Sequence, residues 1–228
     1  MKAMILAAGY GKRLQPLTNK TPKPLLRVAG KPLLQHHIEH LAASGITDIL
    51  INTSWLAEQI EDYFGDGSDF AVNITWSREA VPLETGGGIY KALPFFQQQP
   101  FLLINGDVWT DFAFSSISQS LLQQDQMAWL LMVKNPEHNP EGDFGLTDNL
   151  VNYTAQPRYT FSGVSLIRPQ LIDDFVKNHP AQSCFPLRDV LRPAIERQAV
   201  TAAVHAGRWC DVGTPERYEN LNRTLGCQ

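Results

Sequence analysis

The stretch Met4-Ile5-Leu6-Ala7-Ala8-Gly9-Tyr10-Gly11-Lys12-Arg13-Leu14 decides how the rest of the chain is read. A short apolar run passes straight into a glycine-rich turn and then into two cations, the pattern of a buried strand that ends at an anion site. Gly9 and Gly11 let the backbone approach an anion with no β-carbon in the way. Lys12 and Arg13 bring charge, Arg13 as a planar fork. Lys23, in the following Thr21-Pro22-Lys23-Pro24-Leu25, offers a point charge instead. Two generic phosphate motifs are absent. Position 14 is Leu14, where a dinucleotide fingerprint needs a third glycine, and no G-x-x-x-x-G-K-[ST] string occurs. From these residues alone the stretch reads equally well as a surface loop and as an anion site.

Outward from this first strand (residues 2–7), segments of helix and strand type alternate. Residues 33–43 read as a helix, ended by Gly45 near the C-cap, and 48–52 as a short apolar strand. Leu56, Ile60 and Phe64 give 56–64 a helical spacing that Gly65-Asp66-Gly67 stops. Then come a strand at 73–77, a short helix at 87–93, a strand at 101–105, a helix at 114–123 and a strand at 128–133. This alternation predicts an α/β fold with a mainly parallel sheet covered by helices. In such sheets ligands gather beyond the carboxyl ends of the strands. Three of those ends carry Gly9/Gly11, Asn52 and Asn105-Gly106-Asp107. The second half is less regular: a loop at 135–145, a strand at 159–167, helices at 170–175 and 187–197, strands at 200–206 and 209–212, and a closing helix at 215–225. Pro215 fits the first turn of that helix, with Thr214 as its cap.

The 228 residues suffice for one large α/β domain, taken here as 1–228 without a linker or internal repeat. A net charge of −4 argues against a general nucleic-acid binder, so any anion site must be local. No apolar run approaches the ~20 residues of a membrane span. The opening apolar segment is too short for a signal peptide, and Gly-Tyr-Gly-Lys-Arg interrupts it. Cys184, Cys210 and Cys227 have no close pair spacing, which fits a reducing, cytoplasmic compartment and argues against zinc. His36 and His40 stand one helical turn apart, yet no further ligand lies nearby, so they read as a packed or solvated helix face.

Carboxylates at strand ends suit a hard cation. Asp107 follows the apolar strand 101–105, and magnesium favours one or two carboxylates together with phosphate oxygens and water. A turn-capping role explains Asp107 equally well. Asp211 is, by itself, a carboxylate in a turn. Leu83-Glu84-Thr85-Gly86-Gly87-Gly88 precedes a helix, so its amides either face an anion or base edge or simply start that helix. Cys210, beside Asp211, reads as a small core residue and not a nucleophile.

The longer string L-A-A-G-x-G-x-R-L (residues 6–14), then Pro22-Lys23-Pro24-Leu25, Asn105-Gly106-Asp107 and Trp209-Cys210-Asp211-Val212-Gly213-Thr214-Pro215, resembles the sugar-1-phosphate nucleotidyltransferases, or pyrophosphorylases, over nearly the whole chain. That resemblance implies a Rossmann-like, mixed and mainly parallel sheet flanked by helices. The C-terminal β-helix of some relatives is absent. It implies transfer of a nucleotidyl group to a sugar 1-phosphate, with Arg13, Lys23 and Asp107 as the catalytic groups and Mg²⁺ on Asp107 and Asp211. Leu6, Ala8, Gly9, Gly11, Lys12, Arg13, Lys23, Glu84, Thr85 and Gly86 would bind the nucleotide. Asn105, Asp143, Gly163 and Gly207 would bind the sugar. Two departures stand out. Glu84 occupies a position that is usually glycine in the family, and the family's V-E-K-P string before residues 160–164 is missing. The combination Leu-Glu-Thr-Gly-Gly-Gly, Asn-Gly-Asp-Val-Trp-Thr-Asp, Gly-Asp-Phe and Thr-Phe-Ser-Gly resembles the branch that joins UTP to N-acetylmuramic acid 1-phosphate in peptidoglycan recycling, as a monomer or weak oligomer. Transfer from another nucleotide to another sugar, and a non-catalytic sugar-nucleotide-binding relative, are the alternatives.

Overall fold

The computed structural model describes residues 1–123 and 125–226. In chain order its regular elements are β1 (Lys2–Leu6), β2 (Arg27–Val28), β3 (Lys31–Pro32), α1 (Leu33–Ala43), β4 (Asp48–Thr53), α2 (Ala57–Phe64), β5 (Asn73–Arg78), α3 (Glu84–Phe96), β6 (Phe101–Asn105), β7 (Val108–Thr110), β8 (Ala128–Val133), β9 (Phe144–Thr147), β10 (Leu150–Asn152), β11 (Arg158–Ile167), α4 (Pro169–Asn178), α5 (Leu187–Glu196), β12 (Val200–His205), β13 (Trp209–Asp211) and α6 (Pro215–Gly226). They fall into two compact units. The N-terminal unit holds Lys2–Pro82, Asn105–Ser115 and the chain from Arg208 on; the central unit holds Leu83–Ile104 and Ser116–Gly207.

In the N-terminal unit β1, β4 and β5 run parallel, with Leu6 opposite Asn52 and Asn52 opposite Ser77. Ala3, Met4, Ile5, Ile49 and Ile51 are fully buried, as strands covered on both faces require. Two smaller ladders complete the unit: β2 with β3, and β7 antiparallel to β13. Val28, Leu33, Val212 and Leu221 form a core cluster under the second of these, with Trp109 and Cys210 packed against it.

The central unit carries six strands in the order β6-β11-β8-β12-β10-β9. Here the mixed character of the fold is concentrated. Only β8 and β12 are parallel, whereas β11 runs antiparallel to β6, β8 and β9. Helix α3 packs against α4 and α5. Among the described residues no helix is long and apolar enough to cross a membrane, and α6 is the last element.

Several sequence expectations are corrected. Residues 114–123 form no helix but two separate 3-10 turns, Phe114–Ser116 and Gln119–Leu121. The Ser118 and Ser120 hydroxyls hydrogen-bond each other there; serine is a poor residue for a helix interior, and Ile117 is β-branched. The helix expected at 87–93 begins at Glu84 and takes in all three glycines. The loop expected through 145 gives way to β9 at Phe144, and β7 was not foreseen. Three- and four-residue strands show too little periodicity to be read from sequence. Cys227 lies outside the described residues.

Candidate active site

The turn after β1 is held from below. Ala7 N–H donates to Asn52 Oδ1 at 2.8 Å, and Asn52 Nδ2 donates to Glu79 Oε1 at 2.8 Å. Asn52 is 2% exposed, so the polar residue at the end of β4 fixes the point where the chain leaves β1. Ala8 is buried, while Gly9, Lys12 and Arg13 are exposed. Gly11 has φ +64°, and a β-carbon on it would come 2.8 Å from Thr18 Cγ2. Both the left-handed backbone and the close approach demand glycine there. Gly9 differs, because a β-carbon on it would meet nothing within 4 Å. Beside the turn, the Lys12 ammonium lies 5.3 Å from the Tyr10 ring centroid, and Tyr10 leans on Trp55 at 6.2 Å.

The carboxylates arrive by a second route. Gly106 N–H donates to Leu6 O at 2.9 Å, and a β-carbon on Gly106 would lie 2.6 Å from that oxygen. Asn105-Gly106-Asp107 therefore presses directly against the end of β1. In the β7–β13 ladder Val108 stands opposite Asp211, and Val212 N–H donates to Asp107 O at 2.8 Å. Pairing of two three-residue strands is what sets Asp107 and Asp211 on neighbouring rungs.

Each carboxylate carries a cation. Lys23 Nζ donates to Asp107 Oδ2 at 2.9 Å, and the lysine side chain is 12% exposed. Burial by itself pushes the Asp107 carboxyl up. The Lys23 charge and hydrogen bond, aided by the Arg13 charge, overcome this and hold it below the usual carboxylate range. Asp211 Oδ2 faces Arg217 Nη1 at 3.3 Å. Arg217 was not expected from the sequence. A β-carbon on Gly213 would overlap the Arg217 guanidinium, lie 2.7 Å from Asp211 Oδ1 and lie 3.2 Å from Arg13 Nη2. Arg13, Asp211 and Arg217 thus converge around one glycine. The signal that could have found Arg217 is the helix start itself. Thr214 Oγ1 caps α6 by accepting from Arg217 N–H at 3.3 Å, and side chains in a first helical turn point back toward the N-terminus.

The histidines of α1 are packed. His36 Nε2 lies 2.8 Å from Val28 O, and His40 stacks on Phe114 at 4.4 Å. His37 is buried; burial pushes its pKa down to about 4, against a hydrogen bond to the Val108 backbone. Among the described residues no group of three or more His, Cys, Asp and Glu gathers for a metal. Burial, with Asp211 close by, pushes the Cys210 thiol up to about 11, which leaves it no thiolate character at neutral pH.

The central unit treats its expected site residues differently. Gly86 and Gly87 N–H both donate to Phe185 O, at 2.8 and 3.2 Å, and Thr85 Oγ1 accepts from Leu187 N–H at 2.7 Å. These amides are committed to a neighbouring loop and not offered to an anion or a base. Glu84 is exposed and has φ +59°, a left-handed conformation that glycine adopts freely. Asp143 Oδ2 accepts from Phe161 N–H at 2.8 Å and Oδ1 from Asn139 Nδ2 at 3.2 Å, tying the 135–143 loop to β11. Gly163 has φ +82° and sits in a bulge of β11, where the register against β8 shifts between Phe161 and Ser165. Gly207 is exposed in the turn after β12.

The structure therefore gathers Leu6, Ala8, Gly9, Gly11, Lys12, Arg13, Lys23, Asn105, Asp107 and Asp211 in the N-terminal unit. Glu84, Thr85, Gly86, Asp143, Gly163 and Gly207 belong to the central unit. Two carboxylates on paired strand ends, beside cations able to hold phosphate, are the hard oxygen donors a divalent cation prefers.

The "Nucleotidyl transferase" family model matches residues 2–227. The chain belongs to that family. Across 99% of its own length and 99% of the relative's, this nucleotidyltransferase is 47% identical to N-acetylmuramate alpha-1-phosphate uridylyltransferase of Neisseria meningitidis serogroup B, strain MC58. It is 30% identical to mannose-1-phosphate guanyltransferase of Kluyveromyces lactis, over 96% of this chain and 63% of that one. Among solved structures, HddC from Yersinia pseudotuberculosis shares the nucleotidyltransferase's fold with a TM-score of 0.80 at 24% identity, covering 98% and 99% of the two chains.

Proposed function

We propose that the chain catalyses UTP plus N-acetyl-α-muramic acid 1-phosphate giving UDP-N-acetylmuramic acid and pyrophosphate, as one catalytic domain in the cytoplasm, in the recycling of peptidoglycan. The observation that carries the reaction class is the convergence of Arg13, Lys23, Asp107 and Asp211 in one unit. The choice of UTP and of the muramic acid sugar is supported by the full-length similarity to the Neisseria enzyme.

A phosphate oxygen of the sugar attacks the α-phosphorus of UTP. The bond from that phosphorus to the bridging oxygen breaks, and pyrophosphate leaves with the electron pair. The nucleophile is already an anion, so no general base is needed, and catalysis rests on positioning and charge. Arg13 and the amides around Gly9 and Gly11 hold the leaving phosphates. Lys23 passes its hydrogen bonds from Asp107 to the α-phosphate and the incoming sugar phosphate. Asp107 and Asp211 would hold Mg²⁺, which supplies charge neutralisation between the two phosphates. Glu84 and Thr85 serve the base, and Asn105, Gly163 and Gly207 the sugar, while Asp143 fixes the 135–143 loop to β11. The missing V-E-K-P string removes a carboxylate from the sugar side, which favours a substrate that carries its own.

The test is pyrophosphate release from UTP, GTP, dTTP and CTP, each against muramic acid, N-acetylglucosamine, glucose and mannose 1-phosphates. The highest kcat/KM is expected for UTP with N-acetyl-α-muramic acid 1-phosphate. A preference for GTP with mannose 1-phosphate would favour the reaction named for the Kluyveromyces relative and reject this one.

A further inference from the structure

Arg217 lies outside every role given above, yet its placement is specific. It sits in the first turn of α6, with its amide capped by Thr214, and its side chain reaches back over Gly213 to Asp211. Gly213 makes this possible, since any β-carbon there would overlap the guanidinium. Its side chain is 17% exposed, and its Nε–H is buried with no hydrogen-bond partner among the described residues. A buried unsatisfied donor destabilises the fold, and it calls for an explanation beyond packing.

We propose that Arg217 is a positioning residue that stands in for the divalent cation at Asp211, as Lys23 does at Asp107, so that the ligand-free site is charge-compensated. The inference rests on Asp107 and Asp211 being the cation's ligands. The local count supports it: the two carboxylates face Lys23, Arg217 and the nearby Arg13. A free divalent cation approaching this cluster meets a net positive field and must displace an ion pair at each ligand. A nucleoside triphosphate reverses the balance, because its phosphates draw Arg13 and Lys23 away and bring negative charge of their own. The cation then enters together with the polyphosphate and not before it. Arg217, which points at the carboxylate from the α6 side, keeps Asp211 oriented in the interval.

Direct Mn²⁺ binding to the nucleotide-free protein, followed by the electron paramagnetic resonance signal of free Mn²⁺, tests this without turnover. Wild type should leave Mn²⁺ largely free at concentrations that saturate the enzyme in the presence of UTP. Arg217→Gln removes the charge and should bind nucleotide-free Mn²⁺ about tenfold more tightly, the size of one contact charge in a partly buried site. Arg217→Lys keeps the charge and should stay near wild type. Mg²⁺ should also raise the melting temperature of Arg217→Gln and leave that of wild type unchanged, a readout that a merely structural arginine would not move. Tight Mn²⁺ binding by wild type without nucleotide overturns the proposal, whether or not Arg217→Gln folds. So does a folded Arg217→Gln with wild-type Mn²⁺ affinity. Failure of the wild type to make any UDP-sugar would instead count against the uridylyltransferase reading, on which the nucleotide-free Mn²⁺ measurements do not depend.

Discussion

Gly9 and Gly86 both stand in glycine-rich stretches that a sequence reader takes for ligand loops. A β-carbon on Gly9 would meet nothing within 4 Å, whereas on Gly86 it would overlap the Phe185 ring and come 2.8 Å from Phe185 O. The first glycine leaves space that the protein does not fill; the second makes space that the protein itself occupies. The same contrast runs through the charged residues. Lys23 and Asp107 hold each other by a pairing that a phosphate and a cation can replace. Asp143 instead closes the 135–143 loop onto β11 with both carboxylate oxygens. A functional glycine or carboxylate is recognised less by its motif than by whether its surroundings already use it.

The largest expected effects fall where partners are exchangeable. Lys23→Ala should lower kcat/KM by roughly 10²–10³-fold, as loss of a preorganised charge does. Asp107→Ala should cost about 3 kcal/mol of transition-state stabilisation, a loss of a hundredfold or more. Lys23→Arg should rescue little, because a planar fork does not replace a compact ammonium. Steady-state kinetics beside melting curves check all three. Near wild-type turnover by a folded Lys23→Ala would remove the N-terminal unit's side of the contrast.

Acid sharpens it next, because His37 is a committed group within the same N-terminal unit. Unfolded, it takes up a proton near pH 6.5; folded and buried, it resists down to about 4. Across that window the unfolded chain binds more protons, so stability falls as pH is lowered from 6.5 to about 4. The loss attributable to His37 should reach about 3 kcal/mol at the acid end. Urea unfolding at a series of pH values should show that dependence shrink in His37→Asn. An unchanged slope would mean that other groups set it.

The glycines themselves give a smaller and more direct comparison. Gly86→Ala should lower stability by roughly 1–3 kcal/mol through overpacking against Phe185, a drop of some 2–4 °C in melting temperature per kcal/mol. Gly9→Ala should leave the melting temperature in place and raise the KM for UTP instead. If both variants behave alike, the contrast fails. The smallest effect belongs to Glu84→Gly, which relieves a side chain from φ +59°. That relief is opposed by the extra backbone freedom of glycine in the unfolded chain, so the net change should stay within about 1 kcal/mol.

Much was legible in the sequence alone. The apolar run before Gly9 gave β1, the apolar run at 101–105 marked β6, and helical spacing with a glycine stop gave α2. Strand-end logic picked out Gly9/Gly11 and Asp107, and the string around Asp211 carried the family. These features are local, set by periodicity, capping and the conformational freedom of glycine within a few residues. The tertiary structure decided what depends on residues far apart in the chain. Pairing of β7 with β13 set Asp211 beside Asp107, and a hydrogen bond from Gly106 to Leu6 set both beside the first turn. Phe185 claimed the amides of Gly86 and Gly87, and Gly213 opened the path by which Arg217 reaches Asp211. No single stretch encodes such partnerships, because each is fixed by close approach between segments that only the packed chain brings into contact.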